Sequence, residues 1–352
     1  MKHWRETAAI LEQATRLSQA GEPAAIATVV RISGSAYRRP GAKLLVEKSG
    51  KTTGGISGGC LEADVRSVAL EVLQGAPPRL LHYDTGSDEE TVWGLGLGCQ
   101  GAVDLLVQRA DRDLCRVLRG LMAEREPHAV ITLVPTPLSL GFIRGKLVGS
   151  SGSAELDREL ASRSGPLLKE GQSQLQQIGE QSVFIDVLRP PPHLAIFGAG
   201  DDAQPLSTFA SQAGFDVTVV DHRPAYLTEA RFPAPAARVL RRPADGIEGI
   251  LHGSHPFAVV QTHALIHDRD WLRALVARPL GYLGLLGPRA RGDEVLKQIG
   301  AAPSANLFTP VGLDLGADGP EQVAVAIVAE MLAVYAGREP GHLRARKGGI
   351  HE

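Results

Sequence analysis

The stretch LAIFGAGDDAQPLSTFASQAGFDVTVVD, residues 194–221, constrains this chain more than any other. An apolar run ends at Gly198, glycine returns at Gly200, a small residue stands at Ala203, helix-forming sequence follows, and a second apolar run closes on Asp221. In this G-x-G-x-x-G/A spacing the first glycine permits a tight turn and the second lets a pyrophosphate approach the backbone. The small third residue lets the helix pack closely on the strand. Helix N-terminal amides favour an anion at such a turn, and Asp221 stands roughly twenty residues on, where a ribose-binding carboxylate is expected. The reading is a Rossmann-like unit with room for a nucleotide or NAD(P).

Its neighbours qualify that ligand. Asp201 and Asp202 stand at the helix terminus, where they oppose a pyrophosphate's charge and serve equally well as helix caps. His222 and Arg223 suit a phosphate contact or a solvated loop. Downstream, the apolar segments ARVLRR, FAVVQT and LGYLGLLG alternate with mostly helical patterns, which implies a parallel sheet covered on both faces. His263, His267, Asp268 and Asp270 cluster just beyond a strand's carboxyl end. His263 suits a ligand contact or a turn, and His263 and His267 share a metal only if both lie on a helix, whereas the segment between them reads as a loop. Arg289, at the start of a helix, faces an anion or solvent.

The triple proline of RPPPH, residues 189–193, continues neither a helix nor a central strand. With 352 residues, two domains are expected. The fold class is α/β: an N-terminal α+β domain over 1–188, a proline linker over 189–193, a Rossmann-like doubly wound parallel sheet domain over 194–340, and a basic tail over 341–352. Helices are expected near 4–20, 60–75, 111–125 and 153–163. A formal net charge of −2 gives no broad cationic field, so nucleic acid is not an expected partner. No apolar run is long enough for a bilayer, and three cysteines do not build a disulfide framework, which places the chain in the cytoplasm.

The N-terminal half carries the reactive side chains. In GGISGGCLEADV the glycines, Gly58 and Gly59 among them, allow an anion nest, and Cys60 falls at the start of a helix, where unpaired amides and the macrodipole favour a thiolate, a nucleophile and soft metal ligand. GLGLGCQG repeats the arrangement around Cys99. Arg31, Arg38, Arg39 and Lys43 form a local cationic group beside Ser33 and Ser35, suited to an anionic ligand. The bland alternative makes Cys60 a small core residue and the arginines a solvated loop. Cys115 lies in a helical pattern and reads as filler.

With GSAYRRPGAKLLV in the first half and GAGDDAQPL, VTVVDHRP, YLGLLG and TPVGLDLGADGPEQVAVAIVAEML in the second, the chain resembles the XdhC/CoxI family, accessory factors for xanthine dehydrogenase and related molybdenum hydroxylases. The resemblance implies a chaperone that binds molybdenum cofactor (molybdopterin) transiently, supports its sulfuration and delivers it to an apo molybdenum hydroxylase. Its partners are then that enzyme and the sulfuration machinery, with a homodimer as the expected assembly. Cys60 is the leading contact for the metal, Cys99 the second, and Gly58, Gly59, Arg38 and Arg39 are candidates for the anionic end. Ala264 and Pro288 depart from the family pattern in two Rossmann loops. The rival reading is an NAD(P)-dependent oxidoreductase using His263 as acid or base, and a third is an adaptor without cofactor.

Overall fold

In the computed structural model the chain divides between Pro190 and Pro191 into two compact units, and residues 2–34, 38–84, 101–134 and 138–345 are described. The N-terminal unit contains, in order, helix α1 (Lys2–Gln19), strands β1 (Ala24–Gly34), β2 (Lys43–Glu47) and β3 (Thr52–Gly54), helix α2 (Glu62–Leu73), and strands β4 (Arg79–Asp84) and β5 (Gly101–Arg109). Helix α3 (Arg112–Ala123), strands β6 (His128–Val134), β7 (Ser139–Ile143) and β8 (Lys146–Val148), helix α4 (Ala154–Glu170), and strands β9 (Gln174–Ile178) and β10 (Gln181–Leu188) complete it.

These strands form two antiparallel sheets, β3-β2-β1-β5-β4 and β8-β7-β6-β10-β9. Between the sheets lie α1 and α3, whose Ile10, Leu11, Leu114 and Leu118 pack with Ile26 and Leu45 of one sheet and Val130 and Leu188 of the other. Helix α2 covers the opposite face of the first sheet through Val65, Ala69 and Val72, and α4 covers that of the second through Leu160 and Leu167. Each of these buried valine, leucine and isoleucine side chains contributes about 1.5–3 kcal/mol. Helix α4 runs seven residues past its expected end, through Pro166. Proline there removes a backbone hydrogen bond, but burial of Leu167 beyond it keeps the last turn on the sheet.

The C-terminal unit contains β11 (His193–Phe197), α5 (Ala203–Ala213), β12 (Asp216–Asp221), β13 (Ala237–Leu240), β14 (Phe257–Val260), α6 (Leu265–Leu275), β15 (Tyr282–Leu285), α7 (Arg289–Ile299), β16 (Leu307–Phe308) and α8 (Pro320–Ala336). All its strand pairs are parallel, in the order β13-β12-β11-β14-β15-β16. That is the doubly wound Rossmann order, with its switch point between β11 and β14. Strand alternation sends Ile196, Val219 and Val259 into one core with α5 and α8, and Phe197, Val220 and Val260 into another with Trp271 of α6 and Val295 of α7. The connections on either side of β13 differ from the sequence reading: they hold only the 3-10 turns Pro224–Tyr226 and Pro243–Asp245. Pro224, Pro233, Pro235 and Pro243, which donate no backbone hydrogen bond, crowd these segments and prevent a helix. Among the described residues no helix is long and apolar enough to cross a membrane.

Candidate functional site

The glycine loop before α2 has its own internal anion. Helix α2 starts at Glu62 with Leu61 as its cap residue, so Cys60 precedes the helix instead of opening it. Glu62 folds back over the loop: one carboxylate oxygen accepts the Ser57 amide at 2.9 Å and the Ile56 amide at 3.3 Å, and the other accepts the Ser57 hydroxyl. Ser57 Oγ in turn accepts the Gly59 amide at 3.0 Å and the Leu61 amide at 3.2 Å. Burial raises the Glu62 carboxyl, and the bonds from Ser57 and Ile56 outweigh it, leaving the group below the ordinary carboxylate range. Four amides of the expected nest are therefore already bonded within the chain. Gly59 adopts φ +116° and a Cβ there meets nothing within 4 Å, so the chain beside the thiol is open. Cys60 itself is half-buried at the rim of the α2 core, neither sealed in it nor fully exposed.

The cationic group read from the sequence separates into pairs. Arg38 is bonded to both carboxylate oxygens of Glu6, one at 3.1 Å, and Arg31 lies 3.4 Å from Asp104. Lys43 is buried against Asp186. Arg39 is exposed at the surface. Cys99 lies outside the described residues. Cys115 packs at the edge of the core between the sheets, and its thiol is raised mainly by burial and further by Asp111. Replacing Glu62 by alanine strips the loop amides of their acceptor. An expected loss of about 1–3 kcal/mol, with faster alkylation of Cys60 in peptide-resolved mass spectrometry, checks this arrangement.

In the C-terminal unit the fingerprint residues converge at the switch point. Gly198 turns with φ +115° directly beneath the Gln261 carbonyl. Asp202 is the cap residue of α5 yet makes no side-chain cap bond; its carboxylate meets His263 Nε2 at 2.8 Å, and Asp201 meets Arg231 at 2.9 Å. Both acids are thus drawn away from the helix amides, one by the His263 ring and the other by the Arg231 guanidinium. His263 holds φ +60°, an uncommon conformation for a residue with a side chain, and belongs to the turn before α6. His267 lies on α6 with its ring 4.8 Å from that of His222. Asp268 is fully buried, accepts the Thr262 amide at 3.0 Å and hydroxyl at 2.6 Å, and pairs with Arg291 of α7. It anchors the loop instead of joining a metal set, and among the described residues no group of three His, Cys, Asp or Glu side chains is placed to hold a metal ion. Ala264 and Pro288 stand as cap residues of α6 and α7 without side-chain cap bonds.

Asp221 is 4% exposed and fully bonded. It accepts the Ala199 amide at 2.7 Å, the Arg223 amide at 2.9 Å, and Arg223 Nε and Nη2 at 2.9 and 2.8 Å. Burial raises its carboxyl, but Arg223 and the two amides outweigh that and bring it from 3.8 to about 2. The stabilisation it supplies is complete above the ordinary value and is lost as pH falls through the lower one.

With these sites placed, likeness to known proteins has a structural frame. The sequence pattern of the XdhC and CoxI family matches residues 17–84 and that of the XdhC Rossmann domain matches 194–331. A relative from Bacillus subtilis (strain 168), described as a probable xanthine dehydrogenase component, is 32% identical over 88% of this chain and 93% of its own. The chain belongs to the XdhC/CoxI family. A second relative of this XdhC/CoxI protein, the "Molybdenum cofactor insertion chaperone PaoD" of Escherichia coli (strain K12), is 24% identical over 94% of this chain and 89% of its own. A crystal structure described as a xanthine dehydrogenase from Bacillus halodurans superimposes with a TM-score of 0.78 at 31% identity, covering 94% of this chain and 96% of that one. Sequence reasoning singled out Cys60 and Asp221 but not Ser57 and Glu62, which the structure ties into the loop beside Cys60. The partners of a capping box stand three positions apart, and this pair stands five apart. It also missed Tyr226 and Arg231, which no spacing rule ties to the glycine turn.

Proposed function

We propose that this protein is a molybdenum cofactor chaperone that holds the cofactor, supports its sulfuration and delivers it to an apo molybdenum hydroxylase of the xanthine dehydrogenase type. The names borne by its relatives support the role, and the observation that carries the residue assignment is the half-buried Cys60 thiol at an open glycine turn. The cofactor is cargo whose metal arrives already held by the pterin's sulfurs. A single soft thiolate is therefore a sufficient protein contribution, in keeping with the absence of a multidentate metal set among the described residues.

Within the chain, Cys60 binds the metal side, and Ser57 and Glu62 fix the backbone that presents it. The Gly58 backbone is the contact for the anionic end, whereas the Gly59 amide is held by Ser57 and Arg38 acts through its pair with Glu6. The test is anaerobic purification with metal and pterin analysis. Cys60→Ser is expected to reduce retained molybdenum and pterin about tenfold, or about 1.4 kcal/mol of affinity, with unchanged thermal unfolding. Unchanged stoichiometry removes Cys60 from the role.

A further inference from the structure

The carboxyl edge of the Rossmann sheet presents a second binding chemistry, independent of the N-terminal thiol. In folds of this order the carboxylate ending the second strand holds the ribose diol. Here Asp221 already accepts four hydrogen bonds, about the full capacity of an ionised carboxylate. A diol must break the two-pronged bond to Arg223 before it can bind. The acid is sealed while the nitrogen donors around it reach the surface: the Arg223, His222 and Arg231 side chains are 37%, 34% and 25% exposed. The guanidinium groups of Arg223 and Arg231 lie 3.9 and 5.0 Å from the centroid of one ring, Tyr226, which holds both in place. A planar guanidinium so fixed is preorganised for the fork geometry of a phosphate.

A buried donor at the same switch point also awaits an acceptor. Gln261 is 2% exposed and its side-chain amide nitrogen is without a hydrogen-bond partner. Val259 faces the α5 side of the sheet and Val260 the α6 side, so alternation carries Gln261 to the α5 side, against the Gly198 turn. An orphaned buried donor costs about 1–3 kcal/mol, which an acceptor on a ligand in the crevice offsets. The turn itself is less hospitable to phosphate, because it carries the carboxylates of Asp201 and Asp202.

We infer that this crevice takes a nucleotide bearing a phosphomonoester on its ribose, gripped by Arg223 with His222 and Arg231, and rejects the same nucleotide without that phosphate. Recognition centres on the end of β12, away from the acidic turn.

Calorimetric titration of the full chain with NADP+, NAD+, adenosine 2′-monophosphate and inorganic phosphate tests the inference. NADP+ is expected to bind at least about tenfold tighter than NAD+, the 2′-monophosphate within about tenfold of NADP+, and inorganic phosphate at least about tenfold weaker than the 2′-monophosphate. Arg223→Gln frees Asp221 for the diol and collapses the preference for NADP+. Arg231→Gln leaves the Asp221 fork intact and weakens the 2′-monophosphate several-fold, which keeps the test decisive if the first variant misfolds. Equal affinity for NADP+ and NAD+, no binding of the 2′-monophosphate at millimolar concentration, or inorganic phosphate binding as tightly as the nucleotide each overturns it. Cys60→Ser should leave all four affinities unchanged, so this inference and the cofactor role fail separately.

Discussion

Lys43→Ala is expected to destabilise the N-terminal unit by about 3–5 kcal/mol, the cost of stranding a buried charge. Lys43 on β2 and Asp186 on β10 are paired with side chains 6% and 4% exposed, and the pair joins the two sheets. The ammonium also donates to the Gly41 carbonyl at 2.8 Å. Asp186 further meets His3 at 3.1 Å and accepts the Ser173 hydroxyl at 3.1 Å. Gly41 shows how tightly this is built: a Cβ on it would stand 2.5 Å from the Asp186 carboxylate.

Burial raises the Asp186 carboxyl, and Lys43 first, then His3, hold it well below the ordinary range. Its folded value is depressed, so the wild-type contribution is present above the ordinary carboxylate value and lost as pH falls beneath it. In Lys43→Ala the burial effect loses its main opponent and the carboxyl moves upward. That variant tolerates a protonated Asp186, so its deficit should shrink from neutral pH towards pH about 4. Urea unfolding followed by hydrogen exchange of β2 and β10 amides measures both effects. A deficit under about 1 kcal/mol, independent of pH, would mean that the pair behaves as a solvated surface bridge.

The same pair shows where sequence reading stops. The Rossmann half was legible because its determinants are local: a turn glycine, a helix-packing alanine and a strand-ending carboxylate recur at fixed short intervals, and alternating apolar runs dictate the parallel sheet. Its loops were not, because proline density around β13 competed with a helical pattern. In the N-terminal unit the deciding contacts are distant in sequence. Residues 43 and 186 lie 143 positions apart, and β1 pairs with β5 across most of the first sheet's sequence. Read alone, Lys43 joined Arg31 and Arg38 in a surface cationic group; folded, each has an acidic partner. That Cys60 stands close to a helix start was legible from glycines giving way to helix-forming sequence. The use of the loop's amides by Ser57 and Glu62 was not, since it follows from a backbone path that no spacing rule encodes.

Gly198→Ala is expected to cost the C-terminal unit about 2–6 kcal/mol, whereas Gly200→Ala, two residues on, should cost under about 1 kcal/mol. Both glycines belong to one fingerprint, yet they answer to different demands. At Gly198 φ is +115°, and a Cβ would stand 2.5 Å from the Gln261 carbonyl oxygen and 2.7 Å from its carbon, backbone atoms fixed by the β11–β14 pairing. Left-handed strain of about 1–3 kcal/mol adds to overpacking of about 1–3 kcal/mol, and neither neighbour can swing aside as a flexible side chain would. At Gly200 a Cβ meets the His263 ring at 3.7 Å, an ordinary contact. The first glycine is therefore required for β11 to pass under the neighbouring loop, and the second leaves its space to whatever occupies the crevice. Thermal unfolding of the two variants decides the matter: equal losses would place both glycines in the service of the fold and leave no part of the turn reserved for a ligand.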